Sequence, residues 1–187
     1  MTATDDFAAG ARRLAAALRD VADDPADQVR LLLTLARGIA SAPTAGDPIG
    51  LAEAAAQAAV QAVMRRAALA EAARAAAAAQ PRSYDEAVVL RAQMVEAIDA
   101  EILVAGDAGE DQTVAALRAL RVAVWSDITS RAAELPALRD ILSPGPVPAL
   151  VQAHRYYADP DRANELANYA GAADPNFMPG SYRALAR

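Results

Sequence analysis

Imidazole, thiol and carboxylate groups build most active sites, and this chain offers few of them in usable company. Its single histidine, His154, stands just before Arg155-Tyr156-Tyr157. A metal site or a histidine-dependent nucleophile needs partners at defined geometry, and here there is no second imidazole and no cysteine. The lack of cysteine excludes disulfides, thiolate nucleophiles and zinc-thiolate sites, and it fits a reducing compartment. Two carboxylate pairs could in principle do acid-base or magnesium chemistry, Asp99 with Glu101 and Glu110 with Asp111. Both fall at a predicted helix end or turn, where acids serve capping and solubility, so they read as solvated helix surface. No glycine-rich motif that could cradle a phosphate occurs. The sequence therefore predicts no catalytic residue, no metal and no cofactor, and a protein that is not an enzyme.

What remains is recognition chemistry. Four of the five tyrosines fall after Pro136, in company with Phe177 and several prolines. Aromatic residues and arginine anchor many protein interfaces, which makes Tyr156, Tyr157, Arg162, Phe177, Met178 and Tyr182 the candidate contact residues. Tyrosine is amphipathic, so the same residues suit a small C-terminal core equally well. The formal charge is −6, with acids and bases interspersed rather than gathered into a basic block. Sequence-independent nucleic-acid binding draws on clustered basic residues, so none is expected. Arginine carries the positive charge and can pair bidentately with carboxylates in the fold or across subunits. Asp5 and Asp6 stand where a secretory signal would carry basic residues, and the run Leu31-Leu32-Leu33 is far too short to span a bilayer. A soluble, untargeted protein follows as the expectation.

Alanine supplies much of the 55% hydrophobic content, and aromatics are only 4%. Alanine is the best helix former and buries little area, which favours closely approaching helices over a bulky core. A first helix is expected from about Asp5 to Ala22 through Leu14, Leu18 and Val21. Asp24-Pro25 starts a second, whose apolar face is Val29, Leu32, Leu33, Ala36 and Ile39, and a loop runs from Ser41 to Gly46. Asp47-Pro48 opens a long helix through Ala79 with the stripe Leu51, Ala55, Ala58, Ala62 and Leu69. Ser83-Tyr84-Asp85-Glu86 is a capping box. It opens a fourth helix to about Ala105, with Leu90, Met94, Ile98 and Ile102 inward. A fifth, from about Asp111 to Ala133, turns Val114, Leu117, Leu120, Val124 and Ile128 inward. The proline-rich stretch 143–148 sets the boundary. Beyond it, Asp159-Pro160 starts a short helix ending near Tyr169 with Gly171 as its stop, and 181–186 is extended.

Several of these segments carry a family likeness. Val63-Met64-Arg65-Arg66 through Arg74, Ser83-Tyr84-Asp85-Glu86-Ala87 and the Leu90-Arg91 helix resemble the central helices of the DNA-circularisation proteins of Mu-like phages. The ending is more specific. Leu135-Pro136, Ala153 to Asp159, Arg162-Ala163-Asn164-Glu165-Leu166 and Asp174-Pro175-Asn176-Phe177-Met178-Pro179-Gly180 resemble that family's C-terminal signature in order and spacing. Ala158 stands where the family usually has glycine, Tyr169 lies near its usual asparagine, and Asp174 replaces its usual histidine. The family's β-rich N-terminal domain has no counterpart here. Tyr157 to Leu185 also resembles a degenerate LysM module, although the opening strand of such a module is not apparent. The resemblance implies a virion component of the tail, at the hub or baseplate, in contact with other tail proteins and present in multiple copies. It would be made in the host cytoplasm before assembly. The expected fold is mainly α, with a long antiparallel Ala-rich bundle over 1–142 and a small LysM-like α+β attachment segment over 143–187. Peptidoglycan binding and DNA binding are the alternatives.

Overall fold

The computed structural model describes residues 3–39, 47–143 and 145–186. The chain is mainly helical: α1 (Ala3–Arg19), α2 (Pro25–Gly38), α3 (Pro48–Ala78), α4 (Tyr84–Asp107), α5 (Asp111–Ala132), β1 (Leu138–Leu142), α6 (Ala149–Tyr157), a 3-10 turn (Pro160–Arg162), α7 (Ala163–Ala170) and β2 (Ser181–Leu185). The loop expected from Ser41 to Gly46 lies outside the described residues, as does Pro144.

The start signals read from sequence act as capping chemistry requires. The Asp24 carboxylate accepts from the Ala26 amide at 2.8 Å, and that of Asp47 from Ile49 and Gly50 at 3.1 and 2.8 Å, each ahead of a proline in the first turn. The capping box closes in both directions. The Ser83 hydroxyl accepts from the Glu86 amide at 3.1 Å, and the Glu86 carboxylate from the Arg82 amide at 2.8 Å.

The chain divides into two compact units, Met1–Gln80 with Val88–Arg131, and Pro81–Ala87 with Ala132–Arg187. The boundary expected at 142/143 instead cuts β1 off from the unit to which its pairing assigns it. Within the larger unit, α4 runs antiparallel to α3 and α5. Arg65 Nε and Arg66 Nε donate to the two oxygens of Glu101 at 2.7 and 2.8 Å, and Arg66 Nη1 donates to Glu110 at 2.6 Å. Toward α5, Arg91 reaches the Thr129 hydroxyl at 2.8 Å and Arg121 reaches Asp99 at 2.6 Å. The core of this unit mixes alanine, including Ala67, Ala68, Ala72, Ala75 and Ala76 on α3, with larger residues such as Leu32, Leu69, Met94, Ile98 and Ile128.

Several expected stripes shift. On α1, Ala11 and Ala15 are buried while Leu14 faces out, and Val21, past the end of the helix, is exposed as well. Small residues at those positions let the helix approach its neighbours more closely than leucine would. On α3, Ala62 and Leu69 are buried, but Leu51, Ala55 and Ala58 are exposed.

The smaller unit opens on β1, which pairs antiparallel with β2 in the register Leu138↔Leu185, Asp140↔Arg183 and Leu142↔Ser181. Between the strands lie α6 and α7, giving the order strand, helix, helix, strand. Neither β1 nor α6 was expected from the sequence. Asp85, in the first turn of α4, ties this unit together. Its carboxylate accepts from the Leu138 amide at 2.8 Å and from Arg183 at 2.5 Å. Those contacts hold its pKa below the usual carboxylate value, the Leu138 amide first among the causes.

Candidate interaction surface

The six candidate contact residues all belong to the smaller unit, and they divide into three kinds. Met178, 1% exposed, and Tyr182, 5% exposed, are core. They pack with Ala149, Ala153, Leu166, Ala167 and Ala184, while Ile141, Tyr156 and Tyr157 pack around that cluster. Of the two readings open for these residues, interface contact or small C-terminal core, Met178 and Tyr182 take the second. The reason is β1, which contributes Ile141 opposite Tyr182 and completes a second wall for the helices. Burial pushes the Tyr182 hydroxyl pKa up.

Tyr156, Tyr157 and Arg162 form a half-buried shell. The two tyrosine rings meet edge to face, with centroids 4.8 Å apart and planes at 72°. The Arg162 guanidinium lies 3.7 Å from the centroid of the Tyr157 ring, and it donates to both oxygens of Glu165 at 2.6 and 3.1 Å. The Tyr157 hydroxyl donates to the Leu185 carbonyl at 3.1 Å, fastening the end of α6 to β2. Tyr157 and Arg162 thus spend their polar groups inside the unit. Nearby, burial and then the Glu86 carboxylate push the Tyr169 pKa up to about 12.

Phe177 alone among the six is outward, at 68% exposure. Its loop is held by backbone bonds to the loop after β1: Ser143 N–H to Gly180 at 2.8 Å, Ala149 N–H to Pro175 at 2.7 Å and Met178 N–H to Val147 at 3.3 Å. Gln152, itself buried, donates to the Ser143 hydroxyl at 2.7 Å and braces the junction. Leu142, the last residue of β1, and Leu150, in the first turn of α6, are also strongly exposed. Phe177, Leu142 and Leu150 are thus exposed apolar side chains on segments joined by backbone bonds, a region called the tip below. The two leucines carry no sequence signal that separates them from core residues, because one ends a short strand and the other begins a short helix.

No protein-family model matches this chain, and no curated protein matches it. The tip's chemistry must therefore be judged on its own. Backbone-bonded segments that leave an aromatic ring and two leucines in water offer apolar side chains of the kind that anchor interfaces, with less ordering needed than in an unbonded loop.

The remaining candidates for chemistry lie elsewhere. His154 is exposed in the last turn of α6. Among the described residues no group of three or more histidine, aspartate or glutamate side chains is placed to hold a metal ion. Glu101 corrects the expectation of solvated helix ends: it is 3% exposed and sits between Arg65 and Arg66. Glu110, held below its usual pKa chiefly by Arg66, joins the same network, and Asp99 pairs with Arg121. Asp111 is exposed in the first turn of α5. Among the described residues, no helix is long and apolar enough to cross a membrane.

Proposed function

We propose that the chain is a non-enzymatic structural protein of a phage or phage-like tail, working at the baseplate or hub in multiple copies. The observation that carries this reading is the tip: the segment with the family-like signature folds into its own small unit and holds Phe177, Leu142 and Leu150 outward. In this reading the tip docks on another tail protein, and the helical unit serves as spacer and scaffold. Peptide mass spectrometry of purified tails tests it. The chain is expected in stoichiometric amounts; its presence in infected cells but absence from tails would reject a virion role.

A second reading, recognition of peptidoglycan, is favoured by the strand, helix, helix, strand order, which supplies the opening strand a LysM-like module needs. Saturable binding to purified cell-wall glycan that disappears with Phe177→Ala would place this reading first.

A further inference from the structure

We infer that the free edge of β1, at Asp140 and Leu142, takes an extended segment of another protein as an added strand, with a basic side chain opposite Asp140 and an apolar one opposite Leu142. The inference goes beyond the tail reading and holds whatever assembly the partner belongs to.

The phase of the ladder decides which backbone groups are spent. Ser143 N–H donates to the Gly180 carbonyl and Ala186 N–H to the Ala137 carbonyl, both at 2.8 Å, so hydrogen-bonded pairs flank the register at each end. Such pairs alternate along an antiparallel ladder. Arg139 and Ile141 therefore turn their backbone groups toward β2, while Leu138, Asp140 and Leu142 turn theirs away. Two bonds agree with this phase: the Leu138 amide donates to Asp85 at 2.8 Å, and the carbonyl of Leu185, opposite Leu138, accepts the Tyr157 hydroxyl at 3.1 Å. Among the described residues, no turn or loop bonds the backbone of Asp140 or Leu142. Both are strongly exposed, the Asp140 side chain at 86% and Leu142 at 83%. Their N–H and C=O groups thus stand on an open strand edge.

An open strand edge is complementary to extended backbone, which presents donors and acceptors at the same repeat, and not to a helix, which spends its own internally. Side chains then choose among extended chains. Asp140 and Leu142, two residues apart, share the sheet face turned away from Ile141 and its cluster. Arg183, across the ladder from Asp140, lies 2.5 Å from Asp85 but 3.9 Å from Asp140. Asp140 therefore keeps charge for a basic residue on its free side, where directly opposed unlike charges attract. A second copy of β1 fits poorly. Laid antiparallel, it sets Asp140 against Asp140, or Asp140 against Leu142 with the two carboxylates diagonal, or Asp140 against Pro144, which has no N–H to give. The exposed outward residues are Asp140 and Leu142 on β1 and Ser181 and Arg183 on β2. Only Leu142 among them is apolar, which puts the added strand on β1.

NMR of the isotope-labelled full chain with the probe peptide acetyl-Thr-Val-Thr-Lys-Thr-amide tests this. Run antiparallel to β1, the peptide sets its Val opposite Leu142 and its Lys opposite Asp140. Saturable shifts and slowed amide exchange are expected at Asp140 and Leu142. N-methylation of the peptide's Val or Lys, whose N–H groups face β1 in this pairing, should weaken binding by about tenfold. N-methylation of the central Thr, whose N–H faces away, should leave it unchanged. Leu142→Pro removes an outward N–H only, so it should abolish binding at an unchanged melting temperature. No saturable shift up to millimolar peptide overturns the inference, as does binding indifferent to which peptide amide is methylated, or protection at Ser181 and Arg183 instead. A dimer in sedimentation that Leu142→Pro dissolves also overturns it, by giving the edge to a second copy.

Discussion

In the larger unit most buried positions on the central helix are alanine, and two carboxylates, Glu71 and Glu101, are buried with them. In the smaller unit the buried cluster includes Leu166, Met178 and Tyr182, and its polar bonds are mainly backbone to backbone. The two solve the burial problem in opposite ways. Alanine brings helices close but buries little area, so the larger unit depends on matched ion pairs such as Arg19 to Glu71 at 2.6 Å and leaves large side chains, among them Ile49, Val122 and Trp125, in water. The smaller unit also buries alanine, at Ala149, Ala153, Ala167 and Ala184, but sets it around Leu166, Met178 and Tyr182, and its most exposed apolar side chains are Leu142, Leu150 and Phe177. A helix contact made of alanines, as along α3, is sensitive to added volume, whereas a small cluster that depends on three large side chains is sensitive to lost volume.

That contrast can be broken at one residue in each unit. Met178→Ala removes a buried side chain from a small core and should destabilise by about 2–5 kcal/mol. Ala72→Leu adds bulk at a fully buried helix contact and should cost about 1–3 kcal/mol through displaced neighbours. Denaturant unfolding followed by circular dichroism measures both. If Ala72→Leu is neutral or stabilising, the helices of the larger unit are not in close contact and the contrast fails.

A smaller effect of opposite sign sharpens it. Ala158 ends α6 at φ 57°, ψ 23°, with its amide bonded to the His154 carbonyl at 2.9 Å. This is the left-handed region, where an L side chain crowds its own carbonyl. Gly171 ends α7 in the same conformation without that crowding. Ala158→Gly should therefore stabilise by about 1 kcal/mol, read as a higher unfolding midpoint at unchanged slope. The alanine also occupies the place where the resembled family usually carries glycine, so the strain follows from a departure visible in the sequence.

Much of the helical architecture was legible for a physical reason: Asp24-Pro25, Asp47-Pro48 and Ser83 to Glu86 act within one helical turn, so the local chain decides them. β1 was not legible. Its segment Leu-Arg-Asp-Ile-Leu lacks strict alternation and becomes a strand only by pairing with residues some forty positions later. Without β1 in view, the sequence left Met178 and Tyr182 open between interface and core, because the strand that places Ile141 opposite Tyr182 was not visible. α6 was hidden because Pro148 provides no side-chain cap to announce it. In the same way, Glu101 looked solvated because its partners, Arg65 and Arg66, lie on another helix.

The smallest expected change in stability is the most informative about function. Phe177 and Met178 are adjacent in a turn, where no periodicity tells inward from outward, yet the structure sends them opposite ways. Because Phe177 is largely in water, Phe177→Ala should change unfolding free energy by less than about 0.5 kcal/mol, as at most exposed sites. Its contact role predicts a large loss elsewhere: the folded variant should fail to enter assembled tails, or enter at a small fraction of the normal amount. Met178→Ala, in contrast, should lose stability and assembly together. Measuring melting and incorporation for both variants separates the two positions. Normal incorporation of Phe177→Ala would remove the tip from the interface and move the attachment surface to the exposed helical faces of the larger unit.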